Sequence, residues 1–230
     1  MKLCLILALS LLCGLSFALG TLPGSGQNVW PAEDREYNFA YHNGSDDYHF
    51  YGADIWAVRF NFAEVYPETF ASEFAVDKAL LWLPQTGDSV RVELFADSYG
   101  GPGASLAWAK VPVMANQVEI PFANPVQGDS LWLVVTYATN FANRFVAASA
   151  GGGEHSYYWN TNSINPYFQS LATAGFGAEL LFGLAGNFVL NAPDLQLADL
   201  ELEGVLQPRQ MVGPSFTIFN HSDLPISDAV

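Results

Sequence analysis

The chain has 230 residues with 8 basic and 23 acidic side chains, a net charge of −15, and half of its residues are hydrophobic. Such a surface repels nucleic acid and anionic lipid, so neither is an expected partner, and the apolar content suffices for a core without staples. The acidity reads first as a solvated exterior, with weak binding of calcium or another cation by clustered oxygens as the lesser reading.

Met1 and Lys2 open the chain, an apolar run follows over residues 3–17, and it leaves through the small-residue stretch Ala18-Leu19-Gly20. One positive charge, an apolar region of roughly 7 to 15 residues and a small-x-small exit form the export pattern, and a spanning helix would need roughly 20 apolar residues. Residues 1–20 are therefore expected to be a signal peptide, cleaved after Ala18 or Gly20, which makes the protein secreted or surface-held without later membrane insertion. Cys4 and Cys13 both lie inside this peptide, and Cys13 follows Leu12 rather than the small residue that lipidation requires. A mature chain without cysteine has no disulfide, no cysteine nucleophile and no thiolate metal site.

Residues 21–29 carry Gly, Pro and Ser without periodicity and are expected to be a flexible spacer without fixed structure. Residues 30–191 form a series of short runs rich in Val, Phe, Tyr, Trp and Leu, punctuated by Gly, Pro, Asn and Asp, the pattern of an antiparallel sandwich. In residues 89–95, Val90, Val92 and Leu94 alternate with Arg91 and Glu93, as a half-buried strand requires. Val118, Ile120 and Phe122 repeat the alternation, while residues 131–137 are apolar on both faces, as in a central strand covered on both sides. Runs at 55–62, 75–83, 144–148 and 187–190 complete about eight strands. Residues 68–74 and 164–173 have room for a helical turn or two, and the glycine-rich stretch 151–186 reads as long loops around one or two edge strands. Gly100 to Gly103 reads as a tight hairpin reversal.

A second boundary falls at Asn191-Ala192-Pro193. Residues 192–230 then supply an alternating strand with one slip at Ala198-Asp199 that suggests a bulge, a further strand over 215–220 and a turn at 221–225. Three strands cannot close a sandwich of about 100 residues, so this piece is expected to be partial, with covalent neighbour domains beyond Val230.

Several motifs stand in a recognisable order: Tyr41-His42-Asn43-Gly44-Ser45, Trp56-Ala57-Val58-Arg59-Phe60, the run from Phe95 through Asp97 to Gly100-Gly101-Pro102-Gly103, and Gly186-Asn187-Phe188-Val189-Leu190. Together they resemble the repeated jelly-roll-like modules of large secreted and surface bacterial proteins. Pro193-Asp194-Leu195 followed by Phe216-Thr217-Ile218-Phe219-Asn220 resembles the start of an Ig-like adhesion module of the CARDB type, with His221-Ser222-Asp223 in place of its glycine turn. The resemblance implies an all-β protein, a jelly-roll-like sandwich followed by an incomplete Ig-like one. It further implies extracellular, non-enzymatic modules, often appended to peptidases, and it carries over no functional residue.

The residues announce no catalytic set. His42 and His49 lie near Asp46 and Asp47 without a zinc-ligand spacing, no nucleophile elbow is present, and nothing marks a serine beside His155. Carboxylate pairs such as Glu64 and Glu68, or Asp46 and Asp54, are what any acidic chain contains. The candidates that remain are aromatic: Trp108, Tyr157, Tyr158, Trp159 and Tyr167, set in or near expected loops, where they would stack on sugar rings or else cap the sandwich core. Asp46, Asp47 and Asp97 are candidate ligands for a structural calcium, and no cofactor is expected. The expected function is a structural or adhesive module with surface glycans or extracellular proteins as partners, and the alternative is a carbohydrate-binding accessory domain using loop aromatics, or an accessory module of a secreted hydrolase or peptidase.

Overall fold

The computed structural model describes residues 19–27, 38–64, 71–87, 89–138, 144–162, 165–190, 195–201 and 215–220. Residues 1–18 of the expected signal peptide, the expected boundary at 191–193 and the expected turn at 221–225 lie outside the described residues. The strands in chain order are β1 (Gly20–Pro23), β2 (Asn38–Phe39), β3 (Tyr48–Tyr51), β4 (Ile55–Asn61), β5 (Ala71–Trp82), β6 (Ser89–Ser98), β7 (Gly101–Pro112) and β8 (Gln117–Gly128). They continue with β9 (Ser130–Tyr137), β10 (Val146–Ala150), β11 (Ser156–Asn160), β12 (Tyr167–Ser170), β13 (Ala178–Leu180), β14 (Phe182–Leu190), β15 (Leu195–Glu201) and β16 (Ser215–Asn220). Among the described residues a single 3-10 turn, Phe62–Glu64, interrupts them.

The front sheet runs β12-β11-β4-β9-β6-β7, and the back layer consists of β1-β3-β10-β13 and β2-β14-β5-β8. Leu181 joins the two back sheets: its N–H donates to the Ala147 carbonyl and its own carbonyl accepts from Trp82 N–H, each at 2.9 Å. Every described pairing is antiparallel, so the protein is an all-β antiparallel sandwich.

Alternation builds the core as expected. Val90, Val92 and Leu94 of β6 are fully buried, and β9, between β4 and β6, is buried along both faces apart from Ser130 and Thr136. Trp56, Phe50, Phe60, Phe74, Phe182 and Ile120 fill the space between layers, and each such side chain contributes about 1.5–3 kcal/mol on leaving water. Phe62 stacks on Phe74 with ring centroids 4.8 Å apart, and Phe39 meets Phe62 edge-on at 5.0 Å. Strands β15 and β16 pair with one another, with a register shift between Ala198 and Glu201 where the sequence slips.

Four expectations need correction. The segment read as a spacer without structure is partly strand: β1 pairs with β3 from Gly20↔Tyr51 to Pro23↔Tyr48, and the N–H groups of Gly24 and Gly26 donate to the carbonyls of Asp47 and Asp46. Pro and Gly are tolerated there because β1 is an edge strand with one ladder partner. Cleavage after Ala18 would leave β1 whole, whereas cleavage after Gly20 would remove its first residue. The stretch 151–186 holds more strands than the one or two edge strands expected, since β11, β12, β13 and the first residues of β14 fall within it and β11 lies inside the front sheet. Residues 71–74 belong to β5 and 167–170 to β12, both without helix, because cross-strand partners outweigh weak local preference. The β6–β7 reversal is made by Tyr99 (φ 53°) and Gly100 (φ 80°), with Ser98 paired to Gly101, so Gly101 to Gly103 are already strand.

Two substitutions test this framework by thermal unfolding. A Cβ at Gly186 would lie 1.9 Å from the Ala75 carbonyl oxygen, at a register shift between β14 and β5. Gly186→Ala is expected to cost roughly 1–3 kcal/mol or more, while Gly101→Ala, whose Cβ meets only Ser98 O at 3.8 Å, stays within about 0.5 kcal/mol. Tyr99 is fully exposed and in the left-handed region, where a two-residue turn with two positive φ values prefers Asn-Gly. Tyr99→Asn is therefore expected to raise Tm, a gain of about 1 kcal/mol.

Candidate functional site

Successive residues of a strand face opposite sides, so the register decides which side chains share the outer surface of the front sheet. One row across it reads Tyr157, Ala57, Val134, Glu93, Trp108, and the next reads Arg59, Trp132, Phe95, Ser105. Of the aromatic candidates, Tyr157, Trp159 and Trp108 therefore lie on the outer face. Tyr158 turns inward, its ring 6.3 Å from that of Trp56. The three consecutive aromatics sit in a strand rather than a loop, and they do not form one strip. Tyr167, exposed at the edge strand β12, donates with Tyr158 and Asn160 to the one amide oxygen of Gln169.

Outward Trp132 is nevertheless fully buried. Ala57, the small residue opposite both Tyr157 and Val134, leaves room for Tyr157 to lean onto Trp132 at 4.7 Å, and Phe168 of β12 reaches it at 5.8 Å. Backbones three strands apart are about 14 Å apart, so these rings close over the sheet as a second, satellite cluster. Trp159 packs edge-on against Phe168 at 4.9 Å. The indole N–H of Trp132 donates to Asp97 at 2.6 Å, and Asp97 also accepts from Arg59 Nε at 2.9 Å and from the Gly100 N–H. Burial works to raise the Asp97 pKa, but the bonds from Trp132 and Arg59 outweigh it and hold the group below its ordinary value.

At the other end of the face Trp108 is 59% exposed. The Arg91 guanidinium lies 4.7 Å from its ring centroid and is anchored by Glu93 at 2.8 Å, which in turn accepts from Ser105 Oγ. An exposed cation–π contact of this kind is worth about 0.5–1 kcal/mol, which favours this ring orientation a few-fold.

The calcium candidates are occupied by protein donors. Asp46 is buried and accepts from Ser25 N–H and pairs with His49 Nε2 at 2.9 Å. Asp47 accepts from Ser45 Oγ and Ala150 N–H, bonds that keep its carboxyl below the usual range. The structure does not bring Asp97 to these two, and among the described residues no three His, Asp or Glu side chains gather as a metal site would require. His42, half-buried, accepts from Gly44 N–H, and loss of solvent around its ring lowers its pKa to about 4.

A polar cluster that spacing did not announce lies between the layers. Glu179 of β13 is buried and accepts from Gly153 N–H at 2.7 Å, from Ser156 Oγ at 2.5 Å and from His155. Ser156, fully buried, also accepts from Leu180 N–H. His155 places its other nitrogen 3.0 Å from Glu64, and its ring stacks on Tyr41 at 3.6 Å, while the Tyr41 hydroxyl bonds Glu64. Burial works to raise the Glu179 pKa, but these donors overcome it and the net shift is downward. The bond to Glu179 and the charges of both glutamates raise His155 against the opposing effect of burial. Both histidine nitrogens point at carboxylates and the serine is sealed beneath Leu180, so the cluster is a clamp between layers and lacks the serine-to-histidine geometry of a nucleophile. The one signal in the sequence is a lone carboxylate in the apolar stretch Ala178-Glu179-Leu180-Leu181-Phe182, which demands a buried partner.

No protein-family model and no curated protein matches the chain. Among solved structures, it is similar to the cysteine protease and lectin-like domains of Cwp84, a surface layer associated protein of Clostridium difficile, at 13% identity and TM-score 0.47, covering 64% of this chain and 35% of that one. A second structure of the same clostridial cysteine protease, after propeptide cleavage, gives 13% identity and TM-score 0.42 over 72% of this chain and 39% of that one. The chain thus spans little more than a third of the length of either neighbour.

The clamp predicts a definite pH profile. A raised His155 contributes stability that is complete below its ordinary 6.5 and lost as pH rises through the folded value. A lowered Glu179 contributes stability that is complete above its ordinary 4.5 and lost as pH falls through the folded value. His42 works against the acid side, because the unfolded chain protonates it first between 6.5 and about 4. Tm measured against pH should therefore fall above 6.5 in the native chain, and His155→Gln should flatten that alkaline limb. Ser156→Ala leaves a buried carboxylate short of one donor and is expected to cost about 1–3 kcal/mol at all neutral pH values.

Proposed function

We propose that this chain is a non-catalytic, adhesive module of an exported protein, jelly-roll-like and followed by an Ig-like segment. The observation that carries this reading is the use of its buried polar groups. Glu179, Ser156 and Asp46 each spend their hydrogen bonds on bracing β-strands and loops against one another. Reactive groups in an enzyme instead converge on space a substrate can enter. The exposed chemistry is of the kind that holds a partner: aromatic rings and compensated ion pairs on one sheet face. The export pattern at residues 1–20 and the resemblance to modules of surface proteins support the same reading.

The experiment is a paired assay of the full chain. Protein immobilised on beads should bind preparations of bacterial and host cell surfaces saturably, and it should turn over neither peptide nor glycoside reporter substrates. Turnover that disappears in His155→Ala or Glu179→Gln would contradict the reading.

A further inference from the structure

We infer that the free edge of β7 accepts an added β-strand from a partner polypeptide whose side chains alternate acidic and apolar; the inference names a partner for the adhesive reading above and rests on it. An edge strand leaves alternate backbone N–H and C=O groups unpaired, and natural proteins blunt such edges with short strands, proline or bulges. At one edge of the front sheet, β12 has only four residues. In the back layer the long edge strand β8 carries Pro121 and Pro125, and its residues 122–125 fall out of register with β5 between Val126 and Pro121. The other front edge is different. β7 is 12 residues long, with prolines only at 102 and 112. Leu106 slips out of register, but every residue from Ala107 to Val111 has a partner in β6, a regular stretch as long as an ordinary strand.

The two sides of that stretch set what the added strand must carry. Ala107, Ala109 and Val111 lie opposite buried Leu94, Val92 and Val90 and so face the core, yet they are only half-buried, as is Phe122 of β8. The core is therefore uncovered along this side, and apolar side chains on alternate residues of an added strand would cover it. On the other side stand Trp108 and Lys110, both exposed. Lys110 lies directly opposite Arg91, whose Nε is engaged by Glu93, and Glu93 also accepts from Ser105. Among the described residues no carboxylate pairs with Lys110.

Charge then selects the occupant. Like charges directly opposite one another destabilise a sheet, yet a chain with 8 basic residues and a net charge of −15 places two of them in this one pair. Local rules are broken in this way where function requires it. A carboxylate laid beside Lys110 and Arg91 turns their repulsion into attraction for both. The remaining surface repels an acidic strand, so the pair also fixes where it docks. Backbone pairing supplies the affinity and the alternation supplies the selectivity. A free polyanion meets the charge but forms no ladder and leaves Ala107, Ala109 and Val111 uncovered. A second copy of β7 brings another Lys110 and no acid, since the strand contains none.

The test uses the full chain and peptides of about ten residues, read by calorimetry and by amide hydrogen exchange of β7. A peptide alternating glutamate with valine is expected to bind saturably and to slow exchange along residues 107–111. The same residues scrambled, or lysine in place of glutamate, should bind about tenfold more weakly or worse. Methylating alternate peptide nitrogens on one edge should abolish binding, while methylating the other set should not, because an added strand uses one edge only. Lys110→Glu should weaken binding about tenfold. Lys78→Glu changes the net charge equally but lies on β5 in the back layer, and it should leave binding unchanged. The inference is overturned if no alternating acidic peptide binds, if both methylated sets bind alike, or if the two lysine variants behave alike. Protection of β7 by a uronate polymer or by a second copy of the chain in place of the peptide would overturn it too. Cell-surface retention unchanged in Lys110→Glu would overturn this edge alone, whereas substrate turnover would overturn the adhesive reading itself.

Discussion

The placement of the front sheet's β11 end depends on one buried carboxylate. Glu179 belongs to β13 in the back layer, yet its donors, Gly153, His155 and Ser156, belong to the segment that enters β11 in the front sheet. A charge in the interior is tolerated only when nearly every lone pair is met, and those donors are present only if the loop and the first residue of β11 sit where they do. Ser156 fixes the phase of β11, because it pairs with Val58 and faces inward. With Ser156 inward, Tyr157 and Trp159 must be outward. The side chains of the candidate face are thus set by a bond on the opposite side of the same strand.

The same period of two explains why the two tryptophans at the centre of the front sheet do different jobs. Trp56 of β4 faces the sandwich core and gives its N–H to Ala53, whereas Trp132 of β9 faces outward and gives its N–H to Asp97. Both are fully buried. The outer cluster stays closed because Ala57 is small, and it supplies a rigid base for the half-buried Trp159. Rigidity of this sort lowers the ordering that a ligand would otherwise have to impose.

Much of the fold was legible in the sequence and much of the site was not. Alternation at Val90, Val92 and Leu94, and the doubly apolar run at 131–137, state directly which strands are half-covered and which are central. The glycine-rich stretch 151–186 misled, because its pairing is with β4 and β10, about 100 and 30 residues earlier, and long-range partners leave no local trace. Residues 20–23 misled for the converse reason: an edge strand accepts Pro and Gly that a central one would not. Tyr157 and Trp159 were visible as aromatics, but whether Tyr158 shared their face required knowing that they lie in a strand. The Glu179 clamp joins residues at 41, 64, 155 and 179, a separation that no motif records.

Amide hydrogen exchange, compared between the native chain and Glu179→Gln at neutral pH, tests the dependence of the outer face on this carboxylate most directly. If the clamp positions β11, the amides of Tyr157, Tyr158 and Trp159 exchange much faster in the variant, while those of β6 and β7 at the far side of the sheet keep their protection. Equal protection of β11 in both proteins, or a loss spread evenly over the whole sandwich, would contradict the account.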